Sequence, residues 1–161
     1  FDGGFVSTSF LTQKVDAVDT TKTLTADYTA TGIDLTGQIN FGNLALTGSY
    51  YQAKGLGQYS IFIDPVDAMG EERDSDGFLV QAMYTAGKTR FGVNYGVSNL
   101  DNTANDPTTT LDEKNKITFG VYHQLAKGLT WTTEASRVTA KNSAGGEIEN
   151  DVLNTGLIFF F

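Results

Sequence analysis

The segment Gly32–Lys54, GIDLTGQINF-GN-LALTGSYYQAK, carries the clearest fold signal in the chain. It holds two alternating stretches around Gly42-Asn43, a dipeptide that favours a tight β-hairpin turn. When the stretches are paired outward from that turn, Phe41 faces Leu44. Nearly all apolar residues then fall on one side of the pair and the polar residues on the other. Because a shift by one residue would exchange the two faces, the pattern predicts a single antiparallel register.

The same construction recurs twice further along the chain. The predicted strands are Phe78–Ala86 with Thr89–Ser98, Ile117–Leu125 with Leu129–Val138, a final strand at Asp151–Phe161 and a weaker first strand at Gly4–Val15. Residues 87–88 and 126–128 form the short turns, and the third register sets Leu125 opposite Leu129. Together with the first hairpin, these segments predict an all-β fold with about eight antiparallel strands.

Connections of two kinds alternate along these strands. The three turns are tight, whereas residues 16–22, 55–77, 99–115 and 140–150 are predicted to be long polar connections. All tight turns fall at one end of the strands and all long connections at the other. This layout is typical of a transmembrane up-and-down antiparallel β-barrel with its tight turns in the periplasm. A soluble β-sandwich, whose apolar faces would form a shared core, is the alternative.

Composition restricts the class of protein further. A length of 161 residues predicts one domain. No run approaches the roughly 20 apolar residues that a membrane-spanning helix needs, so a helical membrane protein is excluded. The chain has no cysteine, which fits passage through an oxidising periplasm.

Acidic residues concentrate in the predicted long connections. The chain has 19 Asp and Glu against 11 Lys and Arg, for a net charge of −8. The acids in those connections are Asp16, Asp19, Asp64, Asp67, Glu71, Glu72, Asp74, Asp76, Asp101, Asp106, Asp112, Glu113, Glu147, Glu149 and Asp151. They could confer solubility and bridge lipopolysaccharide through loosely bound Ca²⁺ or Mg²⁺, or concentrate cations at a pore mouth. Their spacing matches no specific metal site.

The last residues form a pattern of polar, Gly, x, x, aromatic, x, aromatic. Thr155, Gly156, Phe159 and Phe161 occupy its fixed positions. The pattern resembles the C-terminal strand of Gram-negative outer-membrane β-barrels, which the outer-membrane assembly machinery reads as an insertion signal. The resemblance implies a protein of the bacterial outer membrane that contacts lipid and lipopolysaccharide.

Three internal segments extend this resemblance to a family. Residues 48–57 (GSYYQAKGLG), 73–81 (RDSDGFLVQ) and 120–125 (GVYHQL) resemble the C-terminal part of Gram-negative general porins. Those proteins are sixteen-stranded, water-filled trimeric barrels. The resemblance implies that residues 1–161 are a single β-barrel domain, the C-terminal half of a longer chain that forms a homotrimer. The segment that would hold the pore-constricting loop lies outside this half.

A complete, closed eight-stranded barrel is the alternative to half a porin. Eight strands leave an interior that side chains fill, whereas sixteen leave an aqueous channel. The predicted inward residues are mostly glycines and small polar residues, which favours the wider barrel. The few inward charges, Asp34, Arg90 and Glu134, are candidate selectivity residues. On the outward face, a membrane-border aromatic belt is predicted at Phe41, Tyr84, Phe91 and Trp131.

Other classes of function find little support in the sequence. The only histidine, His123, is predicted on the outward face opposite Trp131, with no Ser or carboxylate beside it, so no catalytic residue is predicted. No cofactor motif and no basic patch for nucleic acid is present. The sequence predicts an outer-membrane porin for passive diffusion of small hydrophilic solutes and ions, with a preference for cations. The alternative is a closed eight-stranded barrel with a structural or surface-interaction role and no open pore.

Overall fold

Eight β-strands make up almost all of the described chain. The computed structural model describes residues 3–18, 24–58 and 63–161. The strands are β1 (Gly4–Val18), β2 (Leu24–Phe41), β3 (Leu44–Lys54), β4 (Asp74–Ala86), β5 (Thr89–Leu100), β6 (Leu111–Ala126), β7 (Leu129–Asn142) and β8 (Glu147–Phe159). They form one antiparallel sheet in chain order. No helix within the described ranges is long and apolar enough to cross a bilayer.

The predicted register is confirmed in all three hairpins, with one exception. Phe41 faces Leu44 in the first hairpin, and the pairs of the second hairpin also match the prediction. In the third hairpin the predicted pairing of Leu125 with Leu129 is wrong, because Ala126 faces Leu129 and the register shifts between Gln124 and Ala126. The turn there contains only two residues, 127–128, so the strand takes up the extra residue as a bulge.

The three tight turns lie at one end of the sheet, the turn end, and the remaining connections lie at the far end. Each turn contains a glycine with positive φ, at Gly42 (58°), Gly87 (60°) and Gly128 (78°). At Gly42 and Gly87 the positive φ falls on the first turn residue, as in two-residue hairpins that match the twist of adjacent strands, whereas Gly128 is the second residue of its turn. The turn end is therefore determined by local sequence.

Strands extend beyond their predicted limits at the far end. β2 begins at Leu24 rather than Gly32, and β6 begins at Leu111 rather than Ile117. Residues 143–146 alone connect β7 to β8, so the prediction of a long connection at 140–150 is wrong. Of the acids assigned to long connections, Asp16, Asp74, Asp76, Asp112, Glu113, Glu147 and Glu149 lie within strands instead, and Asp151 lies within β8, as its place in the predicted final strand requires. Asp19 and most of the predicted connection 16–22 lie outside the described residues.

Polar cross-strand pairs explain this extension. The Arg137 guanidinium binds the Asp151 carboxylate through two hydrogen bonds of 2.8 and 3.0 Å. Lys141 of β7 forms an ion pair with Glu113 of β6, with 3.3 Å between nitrogen and oxygen. The backbone ladder therefore continues where apolar alternation, the signal used for prediction, has ended.

The two faces of the sheet differ in exposure. Along β3, Leu46, Gly48 and Tyr50 are exposed, whereas the intervening Thr47 and Ser49 are half-buried. Large apolar side chains elsewhere on the same outward face are also exposed. No second layer covers them in the part of the chain that the structure describes, so these eight strands do not form a two-sheet sandwich. The largest buried apolar cluster found there is small, comprising Tyr28, Ala30 and Leu56.

The sheet is open between its first and last strands. Within the described ranges, β1 pairs with β2, β8 pairs with β7, and β1 does not contact β8. Both outer edges therefore present unpaired backbone groups along one side, a condition that folded proteins usually cover or pair.

Candidate functional site

Small polar side chains cover the inward face of the sheet and bond to each other across strands. Thr36 and Ser49 hydroxyls lie 2.8 Å apart, and the Thr47 hydroxyl donates to the Gln38 amide oxygen at 3.2 Å. The predicted inward residues found on this face are Thr36, Gln38, Asn40, Thr47, Ser49, Gly92, Asn94, Gly96, Thr118, Gly120, Thr130 and Thr132. They give the inward face a surface of hydroxyl and amide groups, which water can solvate.

Arg90 and Glu134 lie on this face and are brought together by a third residue. Tyr122 of β6 stands between Arg90 of β5 and Glu134 of β7. The Tyr122 hydroxyl donates a hydrogen bond of 2.5 Å to Glu134 Oε1. The Arg90 Cζ lies 5.7 Å from the centre of the Tyr122 ring, within the range of a cation–π contact. Tyr122 thus contacts two of the three predicted selectivity charges, a role that sequence reasoning missed.

Asp34 lies apart from this cluster. It sits on β2, opposite Tyr51 of β3, and its carboxylate accepts a hydrogen bond from the Ser9 hydroxyl of β1. The strands β3 and β4 separate it from Arg90 of β5. Asp34 is therefore an inward charge near the β1 edge, and the structure does not place it in one site with Arg90 and Glu134.

Two far-end connections, 55–73 and 101–110, are joined by a buried ion pair. Arg73 Nε donates to Asp106 Oδ2 at 2.9 Å, and a second guanidinium nitrogen binds Asp106 Oδ1. Nη1 of the same guanidinium donates to the backbone oxygens of Asp64 at 3.0 Å and Val66 at 2.8 Å. The two ionic side chains are only 8% and 4% exposed. This bidentate hydrogen bonding lowers the pKa of Asp106 and raises that of Arg73.

Asp67 strengthens the same junction. Its Oδ2 accepts hydrogen bonds from the Thr103 hydroxyl at 2.6 Å and the Asn105 amide at 2.9 Å. Its Oδ1 accepts the backbone N–H groups of Met69 and Glu71, each at 2.8 Å. These donors, Thr103 foremost, hold the pKa of Asp67 well below its usual range. Asp67 and Asp106, predicted only as part of an acidic cluster, therefore have structural partners.

The acidic connections show no geometry of a built metal site. Within the described ranges no group of three or more His, Cys, Asp or Glu side chains is placed to hold a metal ion. Loosely bound Ca²⁺ or Mg²⁺ at exposed carboxylates stays a prediction.

The predicted aromatic belt lies on the outward face at the turn end. Phe41, Tyr84 and Phe91 occupy one row across four strands, with Leu44 between the first two, and all three aromatic rings are exposed. Trp131 lies in the neighbouring row. Aromatic residues at the same height on neighbouring strands are typical of the border of a membrane. Their contact with lipid stays a prediction.

His123 lies opposite Trp131, as predicted. Its Nδ1 lies 2.8 Å from the Thr89 hydroxyl. The contact lies on the outward face beside the aromatic rows. It leaves His123 on the face opposite the inward polar surface.

The predicted insertion signal occupies β8 and the residues after it. The Trp131 indole N–H donates to the Thr155 hydroxyl at 3.0 Å, which links the signal segment to the belt. Gly156 faces Thr132 and Phe159 faces Leu129. Phe161 follows the end of the strand and is exposed. Recognition of these residues by assembly machinery stays a prediction.

Comparison with known proteins gives a family match over most of the chain. A family model described as Gram-negative porin matches residues 3–143. No curated protein matches the chain.

Two solved structures share the fold. The outer membrane channel DcaP of Acinetobacter baumannii superposes with a TM-score of 0.77 at 13% identity, over 98% of this chain and 47% of that one. OmpT, an outer membrane protein of Vibrio cholerae folded in vitro and described in its trimer form, gives a TM-score of 0.60 at 16% identity, over 95% of this chain and 49% of that one. The chain thus spans about half the length of the solved structures that it matches.

Proposed function

The chain belongs to the Gram-negative porin family, and we propose that it forms half of the wall of a water-filled channel for passive diffusion. Its family is one of non-enzymatic channel proteins in the bacterial outer membrane. Small hydrophilic solutes and ions would cross along the inward face, with no bound intermediate and no cofactor. The second half of the wall would come from the rest of a longer protein.

The contrast between the two faces carries this proposal. Hydroxyl, amide and a few charged groups predominate on the inward face, beside the apolar Leu79, Val152 and Ile158. The outward face exposes large apolar side chains such as Phe119 (58%) and Leu153 (76%). Water on one side and lipid on the other satisfy both surfaces. Transmembrane barrels show the same alternation, with lipid-facing and lumen-facing residues in turn along each strand.

The open sheet supports a wider barrel than eight strands. A closed eight-stranded barrel would require β1 to pair with β8, and its interior would need bulky side chains to fill it. Gly92, Gly96 and Gly120 instead occupy inward positions at the middle of the sheet. Pairing of both edges with a further set of strands would satisfy their backbone groups and enclose an aqueous lumen.

Partners of the complete protein follow from its surfaces. The outward face would contact lipid, and acids at the far end of β8 would meet lipopolysaccharide, with Ca²⁺ or Mg²⁺ bound loosely between them. The residues Glu147, Glu149 and Asp151 face outward and are exposed. The assembly machinery would read β8. A homotrimer is the proposed assembly, in keeping with the trimer form described for the Vibrio cholerae protein.

A preference for cations follows from the charge balance. The chain carries a net charge of −8, and the charge of the inward Glu134 would act directly on passing ions. Exposed charges act within a screening length of about 10 Å at 0.1 M salt and about 3 Å at 1 M. Cation preference should therefore weaken as salt concentration rises.

Planar-bilayer recordings of the complete protein test the proposal. We expect stepwise, ohmic conductance with a reversal potential that favours cations at low salt. Glu134→Lys should shift that potential toward anions, while Asn154→Lys, across from Glu134 on β8, controls for simple addition of charge. A folded, inserted protein that conducts no ions would refute the channel and favour a closed barrel.

A further inference from the structure

Two inward tyrosine side chains lie directly over glycines of the sheet. A Cβ built on Gly120 would lie 2.6 Å from the Tyr122 hydroxyl oxygen and 2.9 Å from its Cε2. A Cβ built on Gly77 would lie 2.5 Å from Tyr51 Cε1. Real Cβ atoms do not approach other atoms this closely, so each ring occupies the space that a side chain would need. Glycine within a strand commonly marks such a close approach.

The pairing register of the strands places two glycines beneath the Tyr122 ring. Met83, Gly92, Gly120 and Glu134 face one another in a single row across β4, β5, β6 and β7. The two glycines leave a gap in the side-chain layer at the centre of this row. Tyr122, two residues after Gly120 on the same face, fills this gap over Gly120 and shares the space over Gly92 with Met83. A Cβ on Gly92 would lie 3.0 Å from Met83 Cε and 3.5 Å from Tyr122 Cε2.

Polar contacts hold the ring in this gap. The Tyr122 hydroxyl donates a hydrogen bond of 2.5 Å to Glu134 Oε1 on the neighbouring strand β7. The Arg90 Cζ lies 5.7 Å from the centre of the ring. Tyr51 is held in a similar way, because its hydroxyl lies 2.5 Å from Ser98 Oγ, two strands away from its own strand. Tyr122 lies near the turn end of β6 and Tyr51 near the far end of β3. The arrangement thus occurs at both ends of the inward face.

We infer that docking of the Tyr122 ring on Gly120 keeps the lumen clear near the turn end, so that this pair helps to determine which solutes pass. The inference rests on the proposed channel function. The sheet backbone lies on one side of the ring, and the Arg90 guanidinium and the lumen lie away from the backbone. A ring lifted from the glycine must therefore move into the lumen and narrow it. Arg90 and Glu134 would lose their shared contact at the same time.

Gly120 offers a cleaner test than Gly77. The three heavy atoms nearest to a methyl group added at Gly120 all belong to the Tyr122 side chain, whereas at Gly77 the methyl would also lie 2.5 Å from the backbone oxygen of Val97. Gly48→Ala, on the outward face, is a control for the loss of a strand glycine, since its added Cβ would meet nothing within 4 Å.

The experiment measures permeation of neutral sugars of increasing size into liposomes that contain the complete protein. Uncharged solutes separate lumen width from charge selectivity. We expect Gly120→Ala to reduce permeation of the larger sugars several-fold relative to the smallest. Tyr122→Ala should instead admit larger sugars. The double variant should behave like Tyr122→Ala, because the added methyl then has no ring to displace.

Several results would overturn the inference. One is an equal loss of permeation from Gly120→Ala with and without the Tyr122 ring, which would mean that the glycine acts elsewhere. Another is a folded Gly120→Ala that matches Gly48→Ala. If Gly120→Ala fails to fold, sugar permeation through Tyr122→Ala tests the inference by itself. A size limit equal to that of the unsubstituted protein then refutes it. An unsubstituted protein that admits no sugar would instead refute the proposed channel itself.

Discussion

The outward and inward faces belong to the same strands, yet they differ in polarity and in exposure. At neighbouring positions of β5, Val93 projects outward and is exposed, whereas Asn94 projects inward and is half-buried. The outward face is apolar and lacks a covering layer in the described ranges, while the inward face is polar and bonds to itself across strands. The comparison teaches that alternation along a strand can separate two solvents and need not separate solvent from core.

An arginine introduced on each face in turn should produce the largest difference in the free energy of unfolding. Val93→Arg, at mid-strand on the outward face, should cost roughly 2–4 kcal/mol of stability, because an arginine near the bilayer midplane must be desolvated. Asn94→Arg places the same charge on the inward face and should be tolerated. Reversible denaturant unfolding of the complete protein in lipid vesicles measures both free energies. Similar losses at the two positions would show that the faces are not lipid and water.

The last strand offers a second comparison of the faces. Phe159→Ser removes an outward aromatic at a position of the predicted insertion signal, so we expect several-fold less barrel assembled in the outer membrane. Ile158→Ser changes the inward neighbour, which faces Thr130, and should have a smaller effect. Heat-modifiable mobility of membrane fractions on gels quantifies the folded barrel. Equal assembly of both variants would argue against recognition of the outward aromatic.

The far-end connections differ from both faces of the sheet, because charged side chains are buried there. The pKa values of Asp67 and Asp106 are lower in the folded chain than in an unfolded one. Their stabilising contribution is therefore present at neutral pH and is lost as pH falls through the folded-state pKa values. We expect hydrogen exchange in 63–73 and 101–110, corrected for intrinsic rates, to increase only under strongly acidic conditions, with the strands unaffected.

Asp106→Asn is the control for this effect. It removes one titrating carboxyl and leaves the buried Arg73 without its charged partner, so exchange in both segments should already be raised at neutral pH. A junction that opens just as readily in the unsubstituted protein near pH 7 would contradict the role assigned to the ion pair.

Register was predictable because it depends on short-range signals. Gly42-Asn43 determines the turn, and the apolar alternation on both sides allows only one pairing. Leu125 was misplaced because a bulge depends on how the two-residue turn at 127–128 closes, which alternation does not reveal. The far end was predicted less well, since pairs such as Arg137–Asp151 extend strands without an apolar signal.

The sequence predicted which residues lie on the inward face, but not which of them contact one another. Arg90 and Glu134 were assigned to the inward face by parity alone. The part played by Tyr122 depends on where its ring lies, and the signal that could have revealed it is Gly120, two residues earlier on the same face. The pairing of Arg73 with Asp106 joins residues 33 positions apart in two irregular connections. No periodic pattern predicts such a contact.

Single-cysteine labelling tests the central claim, that the inward face lines water and the outward face lies in lipid. Residues 1–161 contain no cysteine, so Asn94→Cys and Val93→Cys each add one thiol at adjacent positions of β5, in a background where any cysteine elsewhere in the complete protein is replaced by serine. A membrane-impermeant, water-soluble thiol reagent is added while the complete protein conducts in a planar bilayer. The account predicts stepwise loss of conductance with Asn94→Cys and none with Val93→Cys. Equal reaction at both positions, or reaction at Val93→Cys alone, would contradict it.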